Sequence, residues 1–324
     1  MQAVVRDCYG PPARLALREV AVPALRRRRD VLVRVRATCV HVADSFVVRG
    51  APLLVRFAAG LLRPRQRVPG QDVAGEVVAI GDGVSGLRVG DRVFGIADGA
   101  WAEFARGEER RLATIPDGLD FAAAAALPTA GLAALHGLRD GARVEAGQRV
   151  LVHGASGGVG TCAVQLARFF GAEVTAVCSG RNADLLRSLG AHEVLDYTQT
   201  DWTQGGPRYD VILDNIEDRP LAAVRRALAP RGVLLCNSGT GARGLAFLWR
   251  LLAPLLLTPF IRQRLRRFLS LPNADDLRLL ARLVANGALR PVVERTSPLA
   301  ATAAALEHVE TGRARGRVVI AVPG

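Results

Sequence analysis

The sequence predicts an α/β protein in which a doubly wound parallel sheet follows a β-rich domain. Three observations carry this. Residues 149–171 read as strand, glycine turn and helix in direct succession; strands then alternate with helices as far as Cys236; and residues 1 to about 121 hold short strands punctuated by turn signals.

In the first of these stretches Val150–Val152 is a short apolar run suited to a buried parallel strand. Val159, Cys162, Ala163, Leu166 and Phe170 recur at helical spacing, and Gly171 stops the helix. Between strand and helix lies His153-Gly154-Ala155-Ser156-Gly157-Gly158-Val159-Gly160. Ala155 stands where G-x-G-x-x-G has its first glycine, so the turn is a variant of that pattern. Glycines let the backbone approach a pyrophosphate, and the free amides of the helix start face it with about half a positive charge. Ser156, Gly157, Gly158, Val159 and Gly160 are therefore candidate cofactor contacts.

A second strand, Glu173–Cys178, precedes a helix capped by Asn182, with Leu185, Leu186 and Leu189 on one face and Gly190 as its stop. A third strand near Glu193–Asp196, a fourth at Tyr209–Asp214, a helix near Pro220–Ala229 and a fifth strand at Gly232–Cys236 complete the alternation. In the amino-terminal domain Gln2–Arg6, Val31–Ala37, Gly75–Ile80 and Arg92–Gly95 are the clearest strands. Near the other end Asn273 caps a helix running to Ala285, stopped by Asn286-Gly287. Pro291–Glu294 reads as a strand, Ser297-Pro298 as the opening of a helix with proline at its first position, and Arg317–Val322 as a closing strand.

With 324 residues, 50% of them hydrophobic, the chain can build two cored domains. No stretch reaches the roughly 18 uninterrupted apolar residues of a membrane span. The start lacks the basic and then apolar plan of a secretory signal, so a cytoplasmic location is expected. The five cysteines are scattered singly, which argues against a disulfide scaffold and a thiolate metal cage. The formal charge of +13 comes from 43 basic residues that are all arginine and spread along the chain. That reads as compositional bias, and no specific nucleic-acid partner is expected.

Several motifs now stand in one order: Ala3-Val4-Val5 with Tyr9-Gly10, Val68-Pro69-Gly70-Gln71-Asp72-Val73-Ala74-Gly75, Val89-Gly90-Asp91-Arg92-Val93-Phe94-Gly95, Leu127-Pro128-Thr129-Ala130-Gly131, the glycine turn, and Arg315-Gly316-Arg317-Val318-Val319-Ile320. In these the chain resembles the medium-chain dehydrogenases/reductases, within them the zinc-free quinone oxidoreductase branch, over nearly its whole length. The resemblance implies a GroES-like β-barrel catalytic domain beside a Rossmann domain, with substrate and nicotinamide meeting in the cleft between them. The expected boundaries are 1–121, completed by about 288–324, for the first domain, and 122–287 for the nucleotide domain.

Zinc-dependent relatives carry Cys-His-x-Asp in the first domain and His-Glu after Pro-Gly. The corresponding places here hold His41, Val42 and Asp44, then Gln71 and Asp72, so the thiolate and second imidazole are missing and no metal site is expected. Zinc-free relatives carry an asparagine where His41 stands. His41, with Asp44 nearby, is therefore the candidate for donating a proton or hydrogen bond to a substrate carbonyl, with a histidine packed in the domain interface as the alternative.

For the cofactor, the second strand ends in Cys178-Ser179-Gly180-Arg181 with no carboxylate until Asp184. Arg181 offers a fork for a 2′-phosphate and Ser179 a second donor, so NADPH is expected rather than NADH. By resemblance Tyr197 lies near the adenosine phosphate and Thr129 near the nicotinamide end. Asn215 and Ser238 follow the fourth and fifth strands, where such sheets bind ligand. Residues 240–270 are an apolar and basic insertion expected to wall a pocket or meet a partner, in preference to lying on a membrane surface.

The expected activity is an NADPH-dependent, zinc-independent transfer of hydride to a quinone, enone or related conjugated carbonyl, by a homodimer acting on a small apolar substrate. The rivals are an alcohol dehydrogenase acting on simple carbonyls and a non-catalytic NADPH sensor that docks on nucleic acid or membrane.

Overall fold

The computed structural model describes residues 1–237, 252 and 256–323. The chain divides into two compact units, Met1–Thr129 with Pro272–Gly287 and Pro291–Gly324, and Ala130–Leu271 with Ala288–Arg290. The helices Phe121–Ala125 and Ala274–Ala285 thus belong to the first unit, where the sequence reading placed nearly all of both in the nucleotide domain. The reason is packing. Phe121–Ala125 lies against strands of the first unit, and Ala274–Ala285 buries Leu277, Leu280 and Leu283 and packs on Phe104–Thr114.

Strands are numbered along the chain. The first unit holds β1 (Gln2–Val5), β2 (Ala16–Glu19), β3 (Asp30–Val40), β4 (Asp72–Ile80), β5 (Arg92–Asp98), β6 (Phe104–Thr114), β13 (Val293–Pro298) and β14 (Arg317–Ala321). Their larger sheet runs β13-β14-β3-β4-β5-β6, and an additional β3–β6 pairing closes four of the strands on themselves as a barrel. The alternation in β3 explains its place there. Val31, Val33 and Val35 are fully buried at period two, while Arg34 between them is exposed. Val73, Val77, Val93, Trp101 and Leu112 join them in one core with Leu299 and Leu306.

One expectation near the carboxyl end is shifted. Ser297 and Pro298 close β13, which pairs with β14 through Pro298, and the α-helix that follows runs Thr302–Glu310. The Ser-Pro signal is displaced by one residue: Pro298 ends the strand and caps a 3-10 turn, Leu299–Ala301, that leads directly into this helix. The Asn273 cap is found as expected, its side chain accepting from the Asp276 amide at 2.8 Å.

The second unit is a six-stranded sheet of β7 (Arg149–His153), β8 (Glu173–Cys178), β9 (Glu193–Asp196), β10 (Tyr209–Asp214), β11 (Leu228–Cys236) and β12 (Arg264–Arg267). Its order is β12-β11-β10-β7-β8-β9 and every pairing is parallel. The chain steps outward from β7 to β9, returns to the other side of β7, and steps outward again to β12. This is the doubly wound order, and its reversal falls between β7 and β10. All carboxyl ends consequently share one edge. Strand β12, which no sequence pattern announced, occupies part of the 240–270 insertion. Leu265 is buried, while the flanking Arg264 and Arg266 are exposed.

Candidate active site

The carboxyl edge of the second unit's sheet gathers the glycine turn after β7, Ser179 and Arg181 after β8, Tyr197 after β9 and Asn215 after β10. Ser238 lies outside the described residues, as does much of the 240–270 insertion. In the turn, Gly154 has φ +72°, a left-handed conformation that favours glycine, and the Ala155 amide donates to the Val177 carbonyl at 3.0 Å. The helix Gly158–Phe169 begins immediately afterwards, with Gly157 as its cap. Amides of its first turn have no intrahelical acceptor and are available to an anion.

Two glycines of the turn do different work. A Cβ on Gly160 would stand 2.3 Å from the Gly154 carbonyl oxygen and 2.6 Å from Ala155 Cα, so the helix can abut the turn only without a side chain there. A Cβ on Gly157 would meet nothing nearer than the Gly154 oxygen at 3.5 Å. Its vacancy leaves open the approach to the helix start. The residues present therefore fit a pyrophosphate.

Where the strand order reverses, β7 and β10 end on paired side chains. His153 Nδ1 donates to Asp214 Oδ1 at 2.9 Å, and the same oxygen accepts from the Glu217 amide at 2.8 Å. Trp202 flanks the imidazole with ring centroids 5.1 Å apart. Asn215 donates its amide side chain to the His153 carbonyl at 2.9 Å and accepts from Asn237 at 2.8 Å. Glu217, fully buried, is paired with Arg267 of β12 at 2.7 Å. This network ties the ends of β7, β10, β11 and β12 together under the turn.

The rim beyond β8 carries the residues expected to choose the cofactor. Arg181 is exposed, and Tyr197, also exposed, donates its amide to the Cys178 carbonyl at 3.1 Å. The Asn182 side chain does not cap its helix. It donates to Ser179 Oγ at 3.3 Å, tightening the turn it was expected only to end. Sequence reasoning missed Asp196 altogether. Its carboxylate accepts from the Thr198 amide at 3.0 Å and the Thr198 hydroxyl at 2.8 Å, and the Gly180 amide also donates to it. The Thr198 amide above all holds its pKa below the usual carboxylate range. The Asp-Tyr-Thr spacing of an Asx turn was the available signal.

The first unit holds a second polar group around the end of β3 and the start of β4. Asp72 is fully buried, accepts from the Thr129 amide at 3.0 Å and from the Thr129 hydroxyl, and is paired with buried Arg317. Thr129, expected near the nicotinamide, thus has its hydroxyl committed to Asp72. Asp44 is buried and accepts from the His41 amide at 2.9 Å; burial foremost pushes its pKa up. His41 Nε2 stands 3.5 Å from Asp44 Oδ2 and, buried, makes no hydrogen bond among the described residues. Burial also pushes the Cys39 thiol up to about 12, so it is a neutral thiol. Among the described residues no three His, Cys, Asp or Glu side chains group as a metal cage.

Comparison with known proteins gives the same architecture. Residues 27–117 match the alcohol dehydrogenase GroES-like domain family, and residues 189–320 match the family described as zinc-binding dehydrogenase. The chain is 32% identical to the chloroplast envelope quinone oxidoreductase homolog of Arabidopsis thaliana over 99% of this chain and 98% of that protein. It is 33% identical to the 2-methylene-furan-3-one reductase of Solanum lycopersicum, over 93% of this chain and 74% of that protein. Among solved structures, the quinone oxidoreductase of Coxiella burnetii superposes with a TM-score of 0.87 at 28% identity, covering 100% of this chain and 99% of that one. The barrel, the parallel sheet with its glycine turn and this end-to-end likeness together make the chain a member of the medium-chain dehydrogenase/reductase superfamily, in its quinone oxidoreductase-like branch, and an NAD(P)H-dependent oxidoreductase.

Proposed function

We propose that the protein is an NADPH-dependent, zinc-independent reductase of conjugated carbonyls, with quinones and enones as its acceptors. The observation that carries the cofactor choice is the rim after β8, where Ser179 and Arg181 follow a strand paired with β9, Tyr197 follows β9, and the nearby carboxylate, Asp196, is already engaged by Thr198 and Gly180. A carboxylate so engaged is a poor acceptor for a ribose 2′-hydroxyl. The Arg181 guanidinium on the same rim suits a 2′-phosphate, a charge-assisted contact worth about 1.5 to 3 kcal/mol.

The residues have separable tasks. Amides of the Gly157–Gly160 turn hold the pyrophosphate, with Ser156 at its edge, and Asn215 lines the same rim. A bound dihydronicotinamide supplies the hydride. His41 Nε2 donates a proton or hydrogen bond to the acceptor's carbonyl oxygen, and Asp44 fixes the His41 main chain. Zinc independence is supported by the donor set: Asp72 is committed to Arg317 and Thr129, and Cys39 is held as a thiol. The relatives support the acceptor class. A quinone and a methylene-furanone both present a C=C bond conjugated to a carbonyl.

Oxidation of NADPH and NADH over a panel of quinones, enones, and simple aldehydes and ketones, with and without chelator, tests this. The expected result is chelator-insensitive turnover of conjugated acceptors with NADPH preferred. Turnover confined to simple carbonyls, or lost with chelator, overturns it. His41→Ala is expected to slow turnover and flatten its pH profile; unchanged turnover from pH about 5 to 9 removes His41 from the mechanism.

A further inference from the structure

Residues 51–67 of the first unit carry five exposed large apolar side chains: Leu53, Leu54, Phe57, Leu61 and Leu62. Isolated surface leucines are ordinary, whereas five exposed large apolar side chains within ten residues call for a partner. The segment is firmly built. The Gly60 amide donates to the Arg56 carbonyl at 2.8 Å, the Arg65 amide to the Ala59 carbonyl at 2.8 Å, and Tyr9 Oη to the Gly60 carbonyl at 2.5 Å. Gly60 has φ +117°, and a Cβ there would lie 2.2 Å from the Arg63 carbonyl oxygen. The helix Leu54–Ala59 is anchored as well, since Arg56 donates to the Gly50 carbonyl at 2.9 Å and stacks 4.7 Å over the Tyr9 ring. Leu61 and Leu62, 60% and 86% exposed, therefore stand on the tip of a loop bonded shut at its base.

The charge carried by the segment itself has one sign. Between Asp44 and Asp72 there is no acidic residue, while Arg49, Arg56, Arg63, Arg65 and Arg67 all lie there. Arg49 is paired with Glu310, Arg67 with Asp7, and Arg56 is engaged as described. Arg63 and Arg65, next to the two leucines, are exposed and make no ion pair among the described residues.

We propose that this tip docks the protein on an anionic lipid surface. Leu53, Leu54, Phe57, Leu61 and Leu62 enter the boundary between headgroups and acyl chains, and Arg63 and Arg65 meet lipid phosphates. A second copy of the chain fits less well, because a two-fold contact through this patch would set its arginines against their own symmetry mates. An anionic bilayer supplies both the apolar layer and the opposite charge.

The test is co-sedimentation of the purified full chain with phosphatidylcholine vesicles, with and without phosphatidylglycerol, together with sedimentation velocity. The wild type is expected to pellet with the anionic vesicles and much less with the neutral ones. Arg63→Glu/Arg65→Glu is expected to weaken that partition by about 30-fold or more, at roughly fivefold for each arginine removed. Leu61→Glu/Leu62→Glu is expected to abolish it while melting as the wild type does, both side chains being solvent-facing already. Three outcomes overturn the proposal: the wild type pellets no more with anionic vesicles than without vesicles; the leucine variant pellets as the wild type does; or the leucine variant changes the sedimenting mass and leaves lipid binding unaltered, which makes the patch an interface between copies.

Discussion

Alanine at Gly160 and alanine at Gly157 are expected to fail in different ways. At Gly160 the new methyl would sit 2.3 Å from the Gly154 oxygen, 2.6 Å from Ala155 Cα and 2.6 Å from the Ala155 oxygen, all of them backbone atoms that no rotamer change can move aside. The turn and the helix Gly158–Phe169 must separate, and overpacking of this kind costs about 1 to 3 kcal/mol. Because Ala155 is bonded to Val177, the displacement strains the join between β7 and β8, so the upper end of that range applies. At Gly157, φ is −78° and the methyl would have space, leaving only a small cap penalty of about 0.5 kcal/mol. That methyl would nevertheless project where a pyrophosphate approaches the helix start. Urea unfolding and fluorescence titration with NADPH should therefore separate the two variants. Gly160→Ala loses both stability and affinity; Gly157→Ala keeps nearly full stability and loses affinity tenfold or more, equivalent to about 1.4 kcal/mol. Wild-type stability in Gly160→Ala, or wild-type affinity in Gly157→Ala, would refute the division of labour.

Removing the carboxylate from a buried ion pair should be costly in the first unit: Asp72→Ala takes the opposite charge away from the buried Arg317 guanidinium and is expected to lower unfolding free energy by about 3 to 5 kcal/mol, with much of it recovered in Asp72→Leu/Arg317→Met, measured by denaturant titration. Arg181→Ala should weaken NADPH binding about tenfold to a hundredfold and leave NADH binding within a factor of two or so, by parallel titrations. Glu310, whose carboxyl the Arg49 guanidinium above all holds below the usual range, contributes stability present above its unfolded pKa of about 4.3 and lost as pH falls through the lower folded value. Glu310→Gln should accordingly cost about 1 kcal/mol near neutral pH, and the difference from wild type should vanish in acid, as followed by unfolding at a series of pH values.

Much of the second unit was legible from local pattern, because a buried parallel strand, a glycine turn and an amphipathic helix each leave a signature within a few residues. The capped helix after Asn273 was equally plain, although its attachment to the first unit depends on leucines meeting β6 and is written nowhere near the cap. Strand β6 itself was not read: its middle is the charged run Glu108, Glu109, Arg110 and Arg111, and the strand is fixed by β3 pairing up to Glu108 and by β5 pairing on both sides of that run. Strand β12 is an arginine-rich stretch made a strand by the open edge of β11. The site divides in the same way. Turn residues and the rim at Ser179 and Arg181 follow directly from strand ends, whereas the Asp72–Arg317 pair joins positions 245 residues apart. Asp196 reaches Gly180 only because β9 lies beside β8. The apolar tip at Leu61 and Leu62 leaves no signature of its own, because exposure is not a property of sequence and the longer leucine run after residue 240 is the more conspicuous pattern.

Titration of the purified chain with NADPH and NADH side by side, followed by nicotinamide fluorescence, bears most directly on the carboxyl edge of the sheet as a site for a phosphorylated dinucleotide. Saturable binding of both with NADPH the tighter is the expected result. Failure to take up either, or tighter binding of NADH, would contradict it.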